Sequence, residues 1–190
     1  MEYFEINGHA LEYDDDTHTY LVDGVIVSSV TQLLGAKFND YAGVSREALE
    51  RASQKGTAMH EAIERFEKTG EEDNSEELQN YKFLKKHYGW NNIANELPII
   101  YEENGEVLFA GRLDQIIEID GKLGINDFKR VSAPNKEKIA HQLNLYKLGY
   151  EQSYHKKIEF LAFTHLREDK RKFVKLPINE DFIKEFLKGV

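Results

Sequence analysis

The chain contains no cysteine. That excludes a disulfide framework, a cysteine-bound zinc and a cysteine-ligated iron–sulfur cluster. No window approaches 18 consecutive apolar residues, so no segment reads as a helix spanning a bilayer. Repeats and low-complexity linkers are also missing. The opening MEYFEINGHALEYDDD is acidic and has no apolar h-region, so a secretory signal is not expected and the cytosol is the default compartment. Basic residues are in the minority, with 25 Lys and Arg against 34 Asp and Glu and a net charge of −9.

What is present suits one globular unit. There are 190 residues, 41% hydrophobic and 12% aromatic, enough to bury a core. The charge is unevenly spread. Residues 1–128 carry 11 basic against 26 acidic side chains, whereas residues 129–175 carry 12 against 5. A solvated surface with chance clustering accounts for this, and so does a basic block that meets a phosphodiester beside a carboxylate site.

The pattern divides the chain into a β-rich extension, 1–44, and a larger unit, 45–190. Residues 3–27 alternate in short runs with Asn7-Gly8 and Asp23-Gly24 between them, which predicts hairpins. Ser29 and Gln32 fit a capping box, opening a short helix that Gly35 ends. Residues 45–69 are helix formers with a weak point or break at Gly56, and Ser75 caps a second helix ending near Gly89. The period then changes to two. Residues 96–101, 107–118 and 122–129 read as consecutive strands, with Asn104-Gly105 and Asp120-Gly121 as turns. Residues 135–151 form a helix with Ile139, Leu143, Tyr146 and Tyr150 on one stripe, followed by strands at 158–166 and 171–177. Asn179 caps a last helix. The order helix, three-strand meander, helix, strand predicts an α/β fold with a mixed sheet.

The chemistry concentrates on this meander. Asp114 lies six residues before the turn at 120–121 and Asp127 six after it, so the two carboxylates should face each other on adjacent strands. Lys129 shares the face of Asp127. The cluster is either a structural salt bridge or a site for a hard divalent cation such as Mg²⁺ or Mn²⁺. Glu96 can add a carboxylate and His60 a nitrogen, the latter favouring Mn²⁺. His60 can equally pair with Glu64, one helical turn on. The stretch His60–Glu64 lacks the second histidine of a zinc-protease motif.

Taken in order, GTAMH (56–60), ELP (96–98), AGRLD (110–114), INDFK (125–129) and QLNLY (142–146) resemble the RecB-like, phage-type exonuclease branch of the PD-(D/E)XK nuclease superfamily. SSVTQLLG (28–35) also resembles a segment ahead of the core in phage-type exonucleases. The resemblance covers roughly 55–165 and implies a restriction-endonuclease-like core. It implies a metal-dependent DNA exonuclease of recombination, repair or replication, of phage or prophage origin and cytoplasmic in a bacterial or infected host. His60, Asp114, Asp127 and the backbone carbonyl of Phe128 would hold Mg²⁺ or Mn²⁺. Glu96 would be a further acidic residue, and Lys129 would orient the attacking water. Gln142, Tyr146, Arg112 and Arg130 would contact DNA, Gly111 letting the backbone pass close; for Tyr146, core packing is the alternative. The partners implied are single-stranded DNA or ends of linear duplexes, together with a helicase or a single-strand annealing protein. Leu113 replaces the superfamily's proline, and Arg130 stands where a small hydroxyl residue often follows the lysine. A structure-specific endonuclease on the same fold and a non-catalytic DNA- or protein-binding module are the alternatives.

Overall fold

Four Asx-Gly pairs set the hairpins. Asn7-Gly8, Asp23-Gly24, Asn104-Gly105 and Asp120-Gly121 each place two consecutive residues at positive φ. That is the turn geometry whose twist matches its flanking strands. The computed structural model describes residues 1–15, 17–35, 37–38 and 45–189; the boundary expected at residue 44 falls at the edge of a stretch outside the described residues. The first two turns belong to a four-stranded antiparallel sheet of β1 (Glu2–Ile6), β2 (His9–Asp14), β3 (Thr19–Val22) and β4 (Val25–Val27).

Helix starts follow side-chain capping. Before α1 (Val30–Gly35), the Ser29 N–H donates to Gln32 Oε1 at 2.9 Å and the Gln32 N–H donates to Ser29 Oγ at 3.1 Å. The two orphan donors are thus satisfied reciprocally. Next, α2 (Arg46–Thr69) runs unbroken through Gly56, where the sequence suggested a break. One glycine costs about 1 kcal/mol relative to alanine, too little to interrupt 24 residues of helix formers. Then α3 (Glu76–Tyr88) starts on Ser75 and stops at Gly89, which is left-handed at φ 66°.

The central sheet has five strands: β5 (Asn91–Glu103), β6 (Glu106–Ile119), β7 (Lys122–Lys129), β8 (Phe160–Arg167) and β9 (Lys170–Leu176), in that spatial order. Pairing is antiparallel except between β7 and β8, which α4 (Lys136–Tyr154) joins as a crossover. The architecture is mixed α/β. α5 (Glu180–Leu187) starts on Asn179. One boundary moves materially. β5 begins at Asn91 rather than at residue 96, because its polar start is held by pairing with Gln115–Glu118 of β6 and not by any pattern of its own.

Helices cover both faces of this sheet. On one, Ile139, Leu143, Tyr146 and Tyr150 of α4 pack on Ile99, Leu113, Ile125, Leu161 and Phe163. Each fully buried Leu or Ile there contributes about 1.5–3 kcal/mol. On the other, Met59 and Ile63 of α2 and Leu78, Tyr81 and Leu84 of α3 pack on Ile117, Phe128 and Leu166. The N-terminal sheet closes over β5 and β6 through Leu11, Tyr13, Tyr20 and Val22 against Ile100 and Ala110. His9 ties the same junction, with Nδ1 2.6 Å from Asp23 and Nε2 2.7 Å from Glu102. Its pKa is raised, first by the Asp23 hydrogen bond and then by Glu102. No helix among the described residues is long and apolar enough to cross a membrane.

Candidate metal centre

The site forms where regular pairing fails on both sides of one residue. Between β6 and β7 the register runs from Ile119↔Lys122 to Gln115↔Asn126 and ends there. One step further Asp114 meets Asp127, but the Phe128 N–H donates to the Asp114 side chain, at 2.6 Å, instead of to a strand carbonyl. A strand residue turns its N–H and C=O toward the same neighbour, so the Phe128 carbonyl is directed to β6 as well. Between β5 and β6, Asn95↔Gln115 and Leu97↔Leu113 bracket Glu96, which sits at φ 51° opposite Asp114. A left-handed glutamate inside a strand costs on the order of 1–3 kcal/mol and marks a place that the surroundings enforce.

α2 supplies the nitrogen. The His60 ring meets the Phe128 ring edge-on, with centroids 5.4 Å apart. Its Nδ1 lies 3.4 Å from Glu96 Oε1 and its Nε2 lies 3.7 Å from Asp114 Oδ2. Ligand atoms of His60, Glu96 and Asp114 all fall within 4.8 Å of one another, the grouping of this kind found among the described residues. Adjacent ligands of an octahedral Mg²⁺ stand about 3 Å apart and opposite ones about 4 Å, given bonds of about 2.1 Å. The spacing and the one-nitrogen, two-carboxylate donor set therefore fit a divalent cation. Asp127 falls outside this trio. Its Oδ2 lies 2.5 Å from Lys129 Nζ, with the carboxylate buried and the lysine side chain 23% exposed.

Crowding of carboxylates in a dry place sets the protonation pattern. Burial works against the His60 imidazolium, but Asp114, Glu96 and Asp127 outweigh it and push its pKa up to about 9. Asp114 is raised, chiefly by burial and then by Glu96, against the pull of His60, Lys129 and the Phe128 N–H. Burial also raises Asp127, with Asp114 adding to it and Lys129 opposing. These are the shifts of a site short of positive charge.

The remaining residues expected to contact DNA are Arg112, Arg130, Gln142 and Tyr146. Arg112 is engaged inside the protein: its Nε lies 3.0 Å from Glu96 Oε2 and its NH1 donates to Glu2 at 2.9 Å. Arg130 Nε donates to Glu77 at 2.6 Å, and its NH2 meets Glu168. Both guanidiniums are thus spent on carboxylates of the chain itself. Gln142 and Tyr146 lie one turn apart on α4, both buried, with the amide donating to the phenol oxygen at 3.4 Å. Tyr146 belongs to the core cluster, and its ring explains Gly111: a Cβ there would stand 2.8 Å from Tyr146 Cε1. Gly111→Ala is expected to destabilise the fold by about 1–3 kcal/mol through overpacking, read as a lower midpoint in urea. An unchanged midpoint would show that Tyr146 moves freely.

The basic stretch 129–175 does not form one surface. Arg171 stacks on Phe83 at 3.6 Å, Lys170 pairs with Asp169, and Lys147 pairs with Glu151. Lys129, Arg130, Lys138 and Arg167 do come together, lining a cavity of about 850 Å³ with Gln142, Asn135, Ser132 and Thr31. A smaller cavity of about 330 Å³ is lined by His60, Glu96 and Arg112 together with Glu2 and Tyr13 of the N-terminal sheet and Asp15 just past β2. Sequence pattern alone does not single out Glu2, Glu77 and Glu168 as partners of the two arginines. Nor does it single out Gln115 and Asn126, although these leave a visible signal: a polar residue beside each aspartate, inside an apolar strand.

No protein-family model matches the chain, and no curated protein matches it significantly. Among solved structures, one described as "Crystal structure of SSO0001" is similar to it at 17% identity and a TM-score of 0.47, over 85% of this chain and 73% of that one.

Proposed function

We propose that the protein is a divalent-metal-dependent deoxyribonuclease with a restriction-endonuclease-like core, acting as an exonuclease on DNA ends or single strands in recombination, repair or replication. The observation that carries this reading is the convergence of His60, Glu96 and Asp114 within 4.8 Å, beside a buried Asp127 that holds Lys129 at 2.5 Å. His60, Glu96 and Asp114 would hold Mg²⁺ or Mn²⁺, with Asp127 and the Phe128 carbonyl alongside. When bound, the ion supplies Lewis-acid polarisation of a phosphate and a water of lowered pKa. The Lys129 ammonium, fixed by Asp127, positions that water and meets developing negative charge. Lys138 and Arg167 give the large cavity a cationic lining suited to the phosphates of a strand.

The direct test is digestion of end-labelled linear and closed circular DNA, single- and double-stranded, with Mg²⁺ or Mn²⁺. Metal-dependent loss of linear DNA alone is the expected result. Cleavage of circles would make the enzyme an endonuclease, and intact DNA under both ions would remove the reading.

A pH dependence follows from His60. Its pKa of about 9 in the metal-free protein keeps it protonated at neutral pH, whereas a ligating imidazole must be neutral. Binding is therefore expected to release close to one proton at pH 7.5, with affinity rising about tenfold per unit until pH 9. Calorimetric Mn²⁺ titrations in buffers of different ionisation heat check this. Heats independent of the buffer would take His60 out of the ligand set.

A further inference from the structure

Behind the candidate centre, on the α2–α3 face of the central sheet, runs a chain of buried polar side chains. Thr164 Oγ1 donates to Asn126 Oδ1 at 2.7 Å, and Asn126 Nδ2 donates to Gln115 Oε1 at 2.9 Å. Gln115 Nε2 donates to the Tyr81 hydroxyl at 2.7 Å and to Asn92 Oδ1 at 2.9 Å. The Tyr81 hydroxyl donates to Glu67 at 2.7 Å, and Lys85 closes the chain on the same carboxylate, also at 2.7 Å. Gln115, Asn126, Thr164 and Tyr81 are all fully buried. From Thr164 to Glu67 the donors all point one way, so each bond polarises the next.

Such a chain is an odd filling for a sheet otherwise packed with Ile, Leu and Phe. Apolar residues of the same shape would fill the space at no loss of stability. Its position suggests what it does. Gln115 and Asn126 are the last residues paired between β6 and β7, and the next position on each strand is Asp114 and Asp127. Beyond that pair β7 stays laddered to β8 and β6 to β5, but no ladder sets the separation of β6 from β7, and on the other side of Asp114 the ladder is interrupted at Glu96. The side-chain bridge clamps β6 to β7 where the backbone ladder ends, and Thr164 extends the clamp to β8.

We infer that Gln115 and Asn126 are positioning residues, which fix the splay of β6 and β7 and so hold Asp114 against the Phe128 N–H and in range of His60 and Glu96. The consequence for metal binding rests on the function proposed above; the consequence for the Phe128 amide does not. Neither residue touches the ion or the substrate, and both act through the aspartates next to them.

The test compares the wild type with the shape-conserving double variant Q115M/N126L and the single variant T164V. The first readout is hydrogen exchange of backbone amides by NMR in metal-free protein. The Phe128 amide is expected to lose at least tenfold of its protection in the double variant and less in Thr164→Val. The Ile100 amide, which donates to Ser153 Oγ on the α4 side, should be unchanged. The second readout is Mn²⁺ affinity by calorimetry, expected to fall 10–100-fold in the double variant, the usual cost of losing support behind a ligand. Unchanged Phe128 protection in either folded variant overturns the inference. Equal loss of protection at Ile100 also overturns it, because the chain would then serve general stability. If the wild type binds no Mn²⁺, the metal reading falls, and the Phe128 amide still decides the positioning role. If the double variant does not fold, Thr164→Val decides the positioning role from the far end of the chain.

Discussion

Asp114→Asn is expected to lower DNA cleavage by about 10³-fold, equivalent to about 4 kcal/mol of transition-state stabilisation, while the protein stays folded. Asparagine keeps an oxygen that accepts the Phe128 N–H, so the local bond of 2.6 Å survives in kind. What disappears is a ligand charge. Two opposing effects act on stability. The folded-state pKa of Asp114 is raised, so the folded protein binds that proton more tightly than the unfolded chain. Its contribution to stability therefore falls as pH rises above the ordinary aspartate value of about 3.9. Removing the carboxylate relieves this cost at neutral pH. Against it, His60 loses one of the carboxylates that hold its imidazolium. The two oppose each other, so the Tm of the metal-free variant is expected to stay within about 4 °C of wild type, the shift that 1 kcal/mol produces at this size. Stability above about pH 4 should also fall less steeply with rising pH than in wild type. Activity within tenfold of wild type, in a folded variant, would show that Asp114 is not a ligand.

Lys129→Met is expected to lower kcat about 10²–10³-fold, or roughly 3–4 kcal/mol, with KM and Mn²⁺ affinity nearly unchanged. The reason is the division of labour in the site. The ion has its own group in His60, Glu96 and Asp114, whereas Lys129 is held by Asp127 at 2.5 Å. Taking the ammonium away removes a charge aimed at the reacting phosphate and leaves the ligand group intact. It also removes the main force that lowers the Asp127 pKa, so that carboxyl rises further. The shift favours the neutral carboxyl over a lone buried charge, which limits the cost to the fold. Steady-state kinetics on a labelled strand with saturating Mn²⁺ separate the cases. An unchanged kcat would end the assignment of Lys129, and a loss confined to KM would make it a binding group.

Local chemistry was legible because it acts over a few residues. The four Asx-Gly turns, the Ser29–Gln32 box and the caps at Ser75, Gly89 and Asn179 depend on side chains within about four positions of the backbone they satisfy. The facing of Asp114 and Asp127 came from counting around one two-residue turn, since a hairpin's register follows from its turn length. By itself, then, the sequence determined the hairpin turns, the capped helix starts, the mixed α/β order and the placing of the two aspartates one step beyond the last β6–β7 pair, whereas the end of α4 at Tyr154, three residues past the expected 151, was not legible. Tertiary structure decided everything that needs a partner from far along the chain. Arg112 looked available for phosphate until the fold brought Glu2, 110 residues away, against it. Arg130 found Glu77 at a separation of 53. Glu96 took a left-handed backbone because two strands pair on either side of it. Gln115 and Asn126 became a clamp because the ladder stops beside them. A buried charge or amide takes whichever partner the packed chain places within about 3 Å, and no periodicity in the sequence records that choice.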